Sequence, residues 1–154
     1  MLWAIDPGTT QSAVVRLVDG VPIFAEILDN QDLIDVLESH ADAGELLAIE
    51  MIASYGMAVG KTVFETCVWI GRFVQAWSPG DVRFVYRREV KSLLCGSARA
   101  KDGNIRQALI DRYPPTGGGK TPQIGTKKEP GPLYGFNSHL WSALGVAIVA
   151  IEES

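Results

Sequence analysis

The sequence contains few cysteines and no long apolar run, and these absences exclude several classes of protein. Its 154 residues include only Cys67 and Cys95, which form no CxxC pair and no Cys/His cluster. A disulfide scaffold and a structural zinc site are thereby excluded, and both cysteines are predicted to be buried thiols in a reducing cytosol. The longest apolar stretch, residues 143–151, is far shorter than the ~18–20 residues of a membrane helix. Asp6 falls where a signal peptide has its apolar core, so we expect a cytoplasmic protein that contacts no membrane.

Cations are outnumbered over the whole chain but are concentrated in one part of it. The net charge is −4, yet residues 81–128 carry eleven cations and four anions, while the remainder carries three cations and fourteen anions. This partition favours one face that meets polyanions and others that repel them. The alternative interpretation is a set of solvated helix faces.

The pattern of apolar residues predicts one mixed α/β domain over residues 1–154, with helices on both faces of a five-stranded sheet. Three antiparallel strands come first, with Asp19-Gly20 as the turn of a hairpin, and parallel strands follow. Asn30 is the expected N-cap of the first helix, and Asn137 or Ser138 that of the last. The predicted strands are 2–6, 12–18, 21–28, 46–50 and 82–86, and the predicted helices are 29–40, 61–77, 88–94, 102–113 and 138–151.

Two carboxylates stand at the ends of apolar strands, where a charge is costly unless it is paired or bound to a cation. Asp6 ends the first strand and Glu50 ends the fourth. If these strands are neighbours, both carboxylates meet at one sheet edge and suit Mg²⁺ or Mn²⁺. His139, at the start of a buried helix, is the third candidate. The alternatives are that Asp6 caps a turn, that Glu50 is solvated and that His139 is a surface or capping residue.

Four motifs, taken together, resemble the RuvC-type Holliday junction resolvases over nearly the whole chain. They are Ala-Ile-Asp-Pro-Gly-Thr-Thr at residues 4–10, Ala-Ile-Glu at 48–50, Arg-Glu-Val-Lys at 88–91 with Gly96 and Lys101 following, and the run from His139 to Ala147. The stretch Gly-Thr-Lys-Lys-Glu-Pro-Gly-Pro-Leu-Tyr-Gly at 125–135 is most similar to bacteriophage members. The chain would then act in the cytoplasm of a bacterium, or of a bacterial host if it is phage-encoded.

The resemblance implies a ribonuclease H-like fold, a homodimer and paired nicks across a four-way DNA junction. It also implies that Asp6 bridges two Mg²⁺ (or Mn²⁺) ions, that Glu50 ligates one and that His139 completes the cluster. Lys101 would be catalytic, with an offset of one from the family position. Ser142 stands where family members generally have a carboxylate, and a neutral hydroxyl is a weak ligand for a hard cation.

The basic part of the chain and the resemblance together predict the DNA-binding surface, with contacts to phosphates rather than bases. Residues 114–134 are predicted to be a flexible basic loop that orders on the junction. The wide apolar surface of helix 61–77, including Trp69 and Trp77, is the candidate dimer interface, or else is simply core. The predicted DNA contacts are Thr9, Thr10, Tyr55, Arg87, Arg88, Lys91, Arg99, Lys101, Lys120, Lys127 and Lys128.

Other functions share some of these features. The first motif also resembles the phosphate-binding opening of sugar kinases, but one short domain cannot build their two-lobed nucleotide cleft, so no nucleotide cofactor is expected. A non-catalytic junction-binding module, a nuclease for other branched DNA or structured RNA, and an acidic adaptor protein stay open. Metal-dependent cleavage distinguishes the nuclease from the binding module, and DNA binding at low salt distinguishes both from the adaptor.

Overall fold

The order of helices and strands is close to the one that the sequence predicts. The computed structural model describes residues 1–153, so residue 154, the last of the predicted domain, lies outside the described residues. Across the described range the elements are β1 (Leu2–Asp6), β2 (Gln11–Val18), β3 (Val21–Asp29), α1 (Asn30–His40), β4 (Leu46–Met51), α2 (Lys61–Trp77), β5 (Val82–Tyr86), α3 (Arg87–Cys95), α4 (Asp102–Ile110) and α5 (Leu140–Glu152).

The strands form one mixed sheet in the order β3-β2-β1-β4-β5. β1, β2 and β3 pair antiparallel, and β4 and β5 add to the other side of β1 in parallel. Asp19 and Gly20 have φ of 51° and 78° in the turn between β2 and β3, as a tight hairpin turn requires. The predicted mixed α/β fold is confirmed, with β1 and β4 as neighbours.

Helices cover both faces of the sheet. Successive side chains of β1 point to opposite faces, and every residue of β1 is buried, so both faces must be covered. Trp3 and Ile5 pack with apolar residues of α1 and α2 in one core. Leu2 and Ala4 pack with α3, α4 and α5 in the other. The last helix, α5, is buried along most of its length, which holds its first turn near the ends of β1 and β4.

Two predicted N-caps are wrong by one or two residues, and each error involves a polar side chain. Asp29, not Asn30, is the N-cap of α1. Asn30 is buried instead: its Oδ1 accepts from Ser12 Oγ at 2.6 Å and its Nδ2 donates to the Gly8 carbonyl at 2.9 Å. Asn30 thus fastens the turn after Asp6. His139, not Asn137 or Ser138, is the N-cap of α5.

The second helix begins and ends at the predicted residues. Part of its wide apolar surface belongs to the core and part is exposed. Trp77 is fully buried in the core, so it cannot form an interface. Phe64 and Val68 are 61% and 64% exposed on the outer side of α2. The cysteines are half-buried rather than buried. No helix within residues 1–153 is both long and apolar enough to cross a membrane.

Residues 114–134 have no helix or strand but are closed by backbone hydrogen bonds. The N–H of Gly118 donates to the Glu129 carbonyl at 2.9 Å, and that of Gly131 donates to the Ile124 carbonyl at 2.9 Å. A Cβ on Gly125 would lie 2.3 Å from the Gly131 nitrogen, so this close approach of the backbone requires glycine. The segment is therefore a folded loop, and the flexibility expected of it stays a prediction.

Candidate active site

Asp6 and Glu50 meet at one edge of the sheet, as the neighbouring parallel strands require. Ile5 of β1 pairs with Ile49 of β4, so the next residues, Asp6 and Glu50, stand side by side at the carboxyl ends of both strands. Their side chains are 10% and 20% exposed. The sequence predicted this pair, and the structure brings the two carboxylates together.

His139 joins the pair from the N-terminus of α5. Its Nδ1 lies 2.8 Å from Asp6 Oδ2. When Asp6 is ionised its carboxylate can only accept, so Nδ1 then carries the hydrogen and Nε2 is the nitrogen left for a ligand. The preceding Ser138 has φ of 46°, and this left-handed residue turns the chain into the helix. The imidazole is 74% exposed, so one side of the site is open to solvent.

Burial raises the pKa of both carboxyls, and the neighbouring Asp6 charge raises that of Glu50 further. Burial raises the pKa of Asp6 above its ordinary value, although the charges of His139 and Arg87 oppose this. Burial likewise raises the pKa of Glu50 to about 8; the Asp6 charge adds to the rise and the Arg87 guanidinium opposes it. Two neighbouring carboxyls of this kind retain a proton at neutral pH unless a cation compensates them.

Arg87 reaches the site from the start of α3, immediately after the strand next to β4. Its Nη1 lies 3.8 Å from Glu50 Oε1 and donates to Ser142 Oγ at 3.5 Å. Its Nη2 donates to Asp102 Oδ1 at 2.5 Å. That Arg87 contacts DNA stays a prediction; in this structure its guanidinium contacts Glu50, Asp102 and Ser142.

The donor atoms at this edge fit a hard divalent cation only in part. Glu50 Oε1 is buried without a hydrogen-bond partner, and buried oxygens of this kind call for a cation or a donor. Carboxylate oxygens are the ligands that Mg²⁺ prefers. Within residues 1–153, however, no group of three or more His, Cys, Asp or Glu side chains is spaced as a metal cluster. Asp6 and Glu50 therefore fit such an ion. His139 and Ser142 do not, as they are placed in this structure, complete a set of ligands around it.

A basic cavity opens beside the carboxylates. It has a volume of about 400 Å³ and is lined by Tyr55, Arg87, Arg88, Lys91 and Arg99. The Arg88 guanidinium lies over the Tyr55 ring, 4.8 Å from its centroid, which holds the exposed aromatic in place. All five of these residues were predicted to contact DNA, and the structure brings them to one surface.

The other predicted DNA-binding residues lie in separate places. Thr9 and Thr10 line a cavity of about 340 Å³ that also contains Asp6 and His139. Lys101 precedes α4, where its backbone N–H donates to Asn104 Oδ1 at 3.0 Å, and Asp102 beside it is the residue bound to Arg87. The exposed Lys120, Lys127 and Lys128 lie on the folded loop 114–134, and among the described residues no ion pair ties them to a carboxylate of the site.

A third cavity, of about 580 Å³, was not predicted. It lies between α4 and α5 and contains Asp102, Arg106, Trp141 and Ser142. The Arg106 guanidinium lies 5.1 Å from the centroid of the Trp141 ring. The sequence did carry a signal for it, because Asp102 and Arg106 are four positions apart in a predicted helix and so share one face.

Known proteins that resemble this chain were found among solved structures. No protein-family model and no curated protein matches the chain. The structure of Thermus thermophilus RuvC matches over 96% of this chain and 91% of that one, with a TM-score of 0.63 and 15% identity. T. thermophilus RuvC in complex with Holliday junction substrate matches over 96% and 90%, with a TM-score of 0.55 and 17% identity. The chain has the RuvC fold.

This match confirms the predicted ribonuclease H-like architecture, which in this chain is a five-stranded mixed sheet flanked by helices. At 15% and 17% identity it shows the fold alone. Within the RuvC fold of this chain, Asp6, Glu50 and His139 are contributed by β1, β4 and the cap of α5.

Proposed function

We propose that the chain is a RuvC-type endonuclease, dependent on Mg²⁺ or Mn²⁺, that cuts four-way DNA junctions. The observation that carries the proposal is a pair of carboxylates at one sheet edge, the buried Asp6 and the partly buried Glu50, beside a cavity of five aromatic and cationic residues. A cation bound there would be next to phosphates held by the basic surface. The RuvC fold, and its occurrence in a complex with a Holliday junction substrate in T. thermophilus, support the same substrate.

In the proposed reaction the chain's residues hold and orient the reacting groups. Asp6 and Glu50 bind the metal ion, which when bound activates water and stabilises charge on the phosphate that is attacked. His139 fixes the Asp6 carboxylate through the 2.8 Å contact and leaves Nε2 toward solvent. Lys101, exposed at the start of α4, is proposed to neutralise the phosphate, as the resemblance implies.

Recognition is proposed to depend on the shape of the junction and on its phosphates. Arg88, Lys91 and Arg99 present cations around the cavity with Tyr55 among them, and such contacts position a nucleic acid without reading its bases. Lys120, Lys127 and Lys128 would add contacts from the loop. Because this loop includes the stretch similar to bacteriophage members, we also propose a phage-type protein that acts in a bacterial cytoplasm.

Two symmetrical nicks require two active sites, so we propose a homodimer that uses the outer side of α2. Phe64 and Val68 are one turn apart there and more than half exposed, as expected of a self-complementary apolar patch. Sedimentation of Phe64→Glu/Val68→Glu tests this: the wild type should be a dimer and the variant a monomer. Ile23→Glu, at an exposed apolar position on the edge strand β3, is the control and should leave the dimer intact.

A second candidate function, a junction-binding module without catalysis, is favoured by one observation. Ser142 offers a hydroxyl that is occupied by Arg87 at 3.5 Å, where a catalytic carboxylate would be expected from the resemblance. In this case the basic cavity would bind DNA while the carboxylates bind no productive ion.

Nicking of a synthetic four-way junction separates the candidates. The junction and a linear duplex of the same sequence are incubated with the protein in Mg²⁺, in Mn²⁺ and in EDTA, with Asp6→Asn as the inactive variant. Asp19→Asn, in the hairpin turn far along the sheet from Glu50, is the matched control. We expect paired cuts in the junction only, lost in EDTA and in Asp6→Asn. Tight binding without cuts would favour the module, and equal cutting of the duplex would contradict junction selectivity.

A further inference from the structure

The guanidinium of Arg87 is built into the carboxylate cluster rather than pointing to solvent. Its two terminal nitrogens contact Glu50, Ser142 and Asp102 at 3.8, 3.5 and 2.5 Å. The side chain is only 28% exposed. The guanidinium is therefore paired with charged and polar groups of the site.

The backbone also fixes where this cation stands. Arg87 is the first residue of α3, and β5 before it pairs in parallel with β4, so both Arg87 and Glu50 emerge at the same sheet edge. The helix start is secured by Glu89, whose carboxylate accepts from the Tyr86 N–H at 2.8 Å. The backbone of Arg87 is therefore held at the sheet edge that carries Glu50.

The negative charge near Arg87 that is left for a metal ion matches one divalent cation. Asp6 and Glu50 carry two negative charges when ionised, which one divalent cation neutralises. Asp102 is the third carboxylate nearby, and its Oδ1 is already paired with Arg87 at 2.5 Å. On α5, Ser142 offers a neutral hydroxyl, which accepts from the same guanidinium. A second divalent ion there would compete with Arg87 for Asp102 and would be repelled by the guanidinium.

We propose that each chain binds a single divalent cation, and that the Arg87 guanidinium, with its one positive charge, serves beside Glu50 in place of a second. The ion is held by Asp6 and Glu50, and His139 Nδ1 orients the Asp6 carboxylate. Arg87 stabilises negative charge beside Glu50 in place of the second of the two ions that the resemblance implies. This inference rests on the proposed metal-dependent function and deepens it.

The number of bound ions tests the inference directly. Mn²⁺ is titrated into the metal-free protein by calorimetry, and the Mn²⁺ spectrum is recorded by electron paramagnetic resonance. We expect one ion per chain and no signal from a coupled pair of ions. Two ions of similar affinity in the wild type, or no bound ion, would each overturn the inference.

Variants at two positions sharpen the test. Ser142→Asp alone should still bind one ion, because the new carboxylate pairs with Arg87. Arg87→Gln/Ser142→Asp, which removes the guanidinium and supplies a carboxylate, should bind two. Arg88→Gln/Ser142→Asp is the matched control and should bind one, since Arg88 lies over Tyr55 and away from Glu50. One ion in the Arg87→Gln/Ser142→Asp variant would contradict the role assigned to Arg87.

The test of the proposed nuclease and the test of the single bound ion can fail independently. Junction cutting by a wild type that binds two ions would sustain the nuclease and overturn the inference. A wild type that binds one ion in the expected variant pattern but cuts no DNA would sustain the inference and contradict the nuclease.

Discussion

Nδ1 of His139 lies 2.8 Å from Oδ2 of Asp6, although 133 positions separate the two residues along the chain. The first belongs to the cap of the last helix and the second ends the first strand. The contact therefore forms only when α5 has packed against the sheet, and the site is assembled by the completed fold. Each side chain also helps to orient the other, so the metal-binding role of Asp6 can be tested by a substitution at His139.

Removal of the His139 imidazole should weaken metal binding at Asp6. Groups that orient a ligand typically contribute 10–100-fold to metal affinity, so we expect His139→Ala to bind Mn²⁺ roughly 10–100-fold more weakly in calorimetric titration. His40→Ala is the matched control. The His40 ring packs 4.8 Å from that of Trp3 in the core of the α1 side, so its loss should lower Tm and leave Mn²⁺ affinity unchanged. Equal affinities in wild type and His139→Ala would contradict the role of His139.

The metal-free protein should lose stability as the pH rises from about 4.5 to about 8. The folded state retains a proton on Glu50 up to a pKa of about 8, whereas the ordinary value is 4.5. The folded state then binds more protons than the unfolded chain within this window, so the free energy of unfolding falls with rising pH. At about 1.4 kcal/mol per pKa unit and with allowance for partial exposure, we expect a loss of roughly 2–4 kcal/mol.

Thermal unfolding in EDTA measures this effect as a Tm lower by about 5–10 °C at pH 8 than at pH 5. Glu50→Gln cannot titrate, so its Tm should change less over the same range. Glu26→Gln, on the exposed side of β3, is the control and should follow the wild type. Saturating Mg²⁺ should also remove the loss, since the cation replaces the proton. A pH-independent Tm of the metal-free wild type would show that Glu50 ionises normally.

The arginine over Tyr55 should contribute to DNA binding, and the chain offers a matched arginine that should not. Arg88 and Arg72 each lie over an aromatic ring, at 4.8 Å from Tyr55 and 4.2 Å from Trp69. Only Arg88 lines the basic cavity. Arg88→Gln should weaken junction binding and reduce the slope of log K against log salt by about 0.9, while Arg72→Gln changes neither. A shared effect of both variants would indicate binding to general surface charge.

The sequence predicted most of the fold because its signals are local. The second helix was predicted with both ends correct, since apolar residues recur along it from Val63 to Trp77 at helical spacing. Asp6 and Glu50 were predicted to meet because two apolar strands each end in a carboxylate. That step needed only the adjacency of two parallel strands, which the register of Ile5 and Ile49 bears out.

What the sequence did not predict depends on contacts between distant residues. Asn30 has the side chain of a good N-cap, but its amide is drawn into the core by Ser12 and Gly8. Arg87 was one of eleven cations in its segment, and nothing local distinguishes it from Arg88. The pairing of β5 with β4 brings its guanidinium to Glu50, and the packing of α3 against α5 brings it to Ser142.

The packing of α3 against α5 leads to a final prediction, at Gly145, which lies one turn after Ser142 on α5. A Cβ at Gly145 would lie 2.8 Å from Val90 Cγ1 of α3, so Gly145→Ala forces the two helices apart. We expect it to lower the free energy of unfolding by roughly 1–3 kcal/mol despite the better helix propensity of alanine. Gly71→Ala in α2, where nothing lies within 4 Å of the added Cβ, should instead raise it by up to about 1 kcal/mol.

The double variant Val90→Ala/Gly145→Ala identifies the cause, because it removes the atom that the new methyl group meets. Its loss should be smaller than the sum of the two single losses in urea unfolding, as for residues in direct contact. Additive losses would show that Gly145 matters for some reason other than its approach to Val90. Because α3 begins at Arg87, a displacement of α3 from α5 also separates the guanidinium from Ser142. Junction cutting should therefore fall in Gly145→Ala, recover in the double variant, and be unaffected in Gly71→Ala.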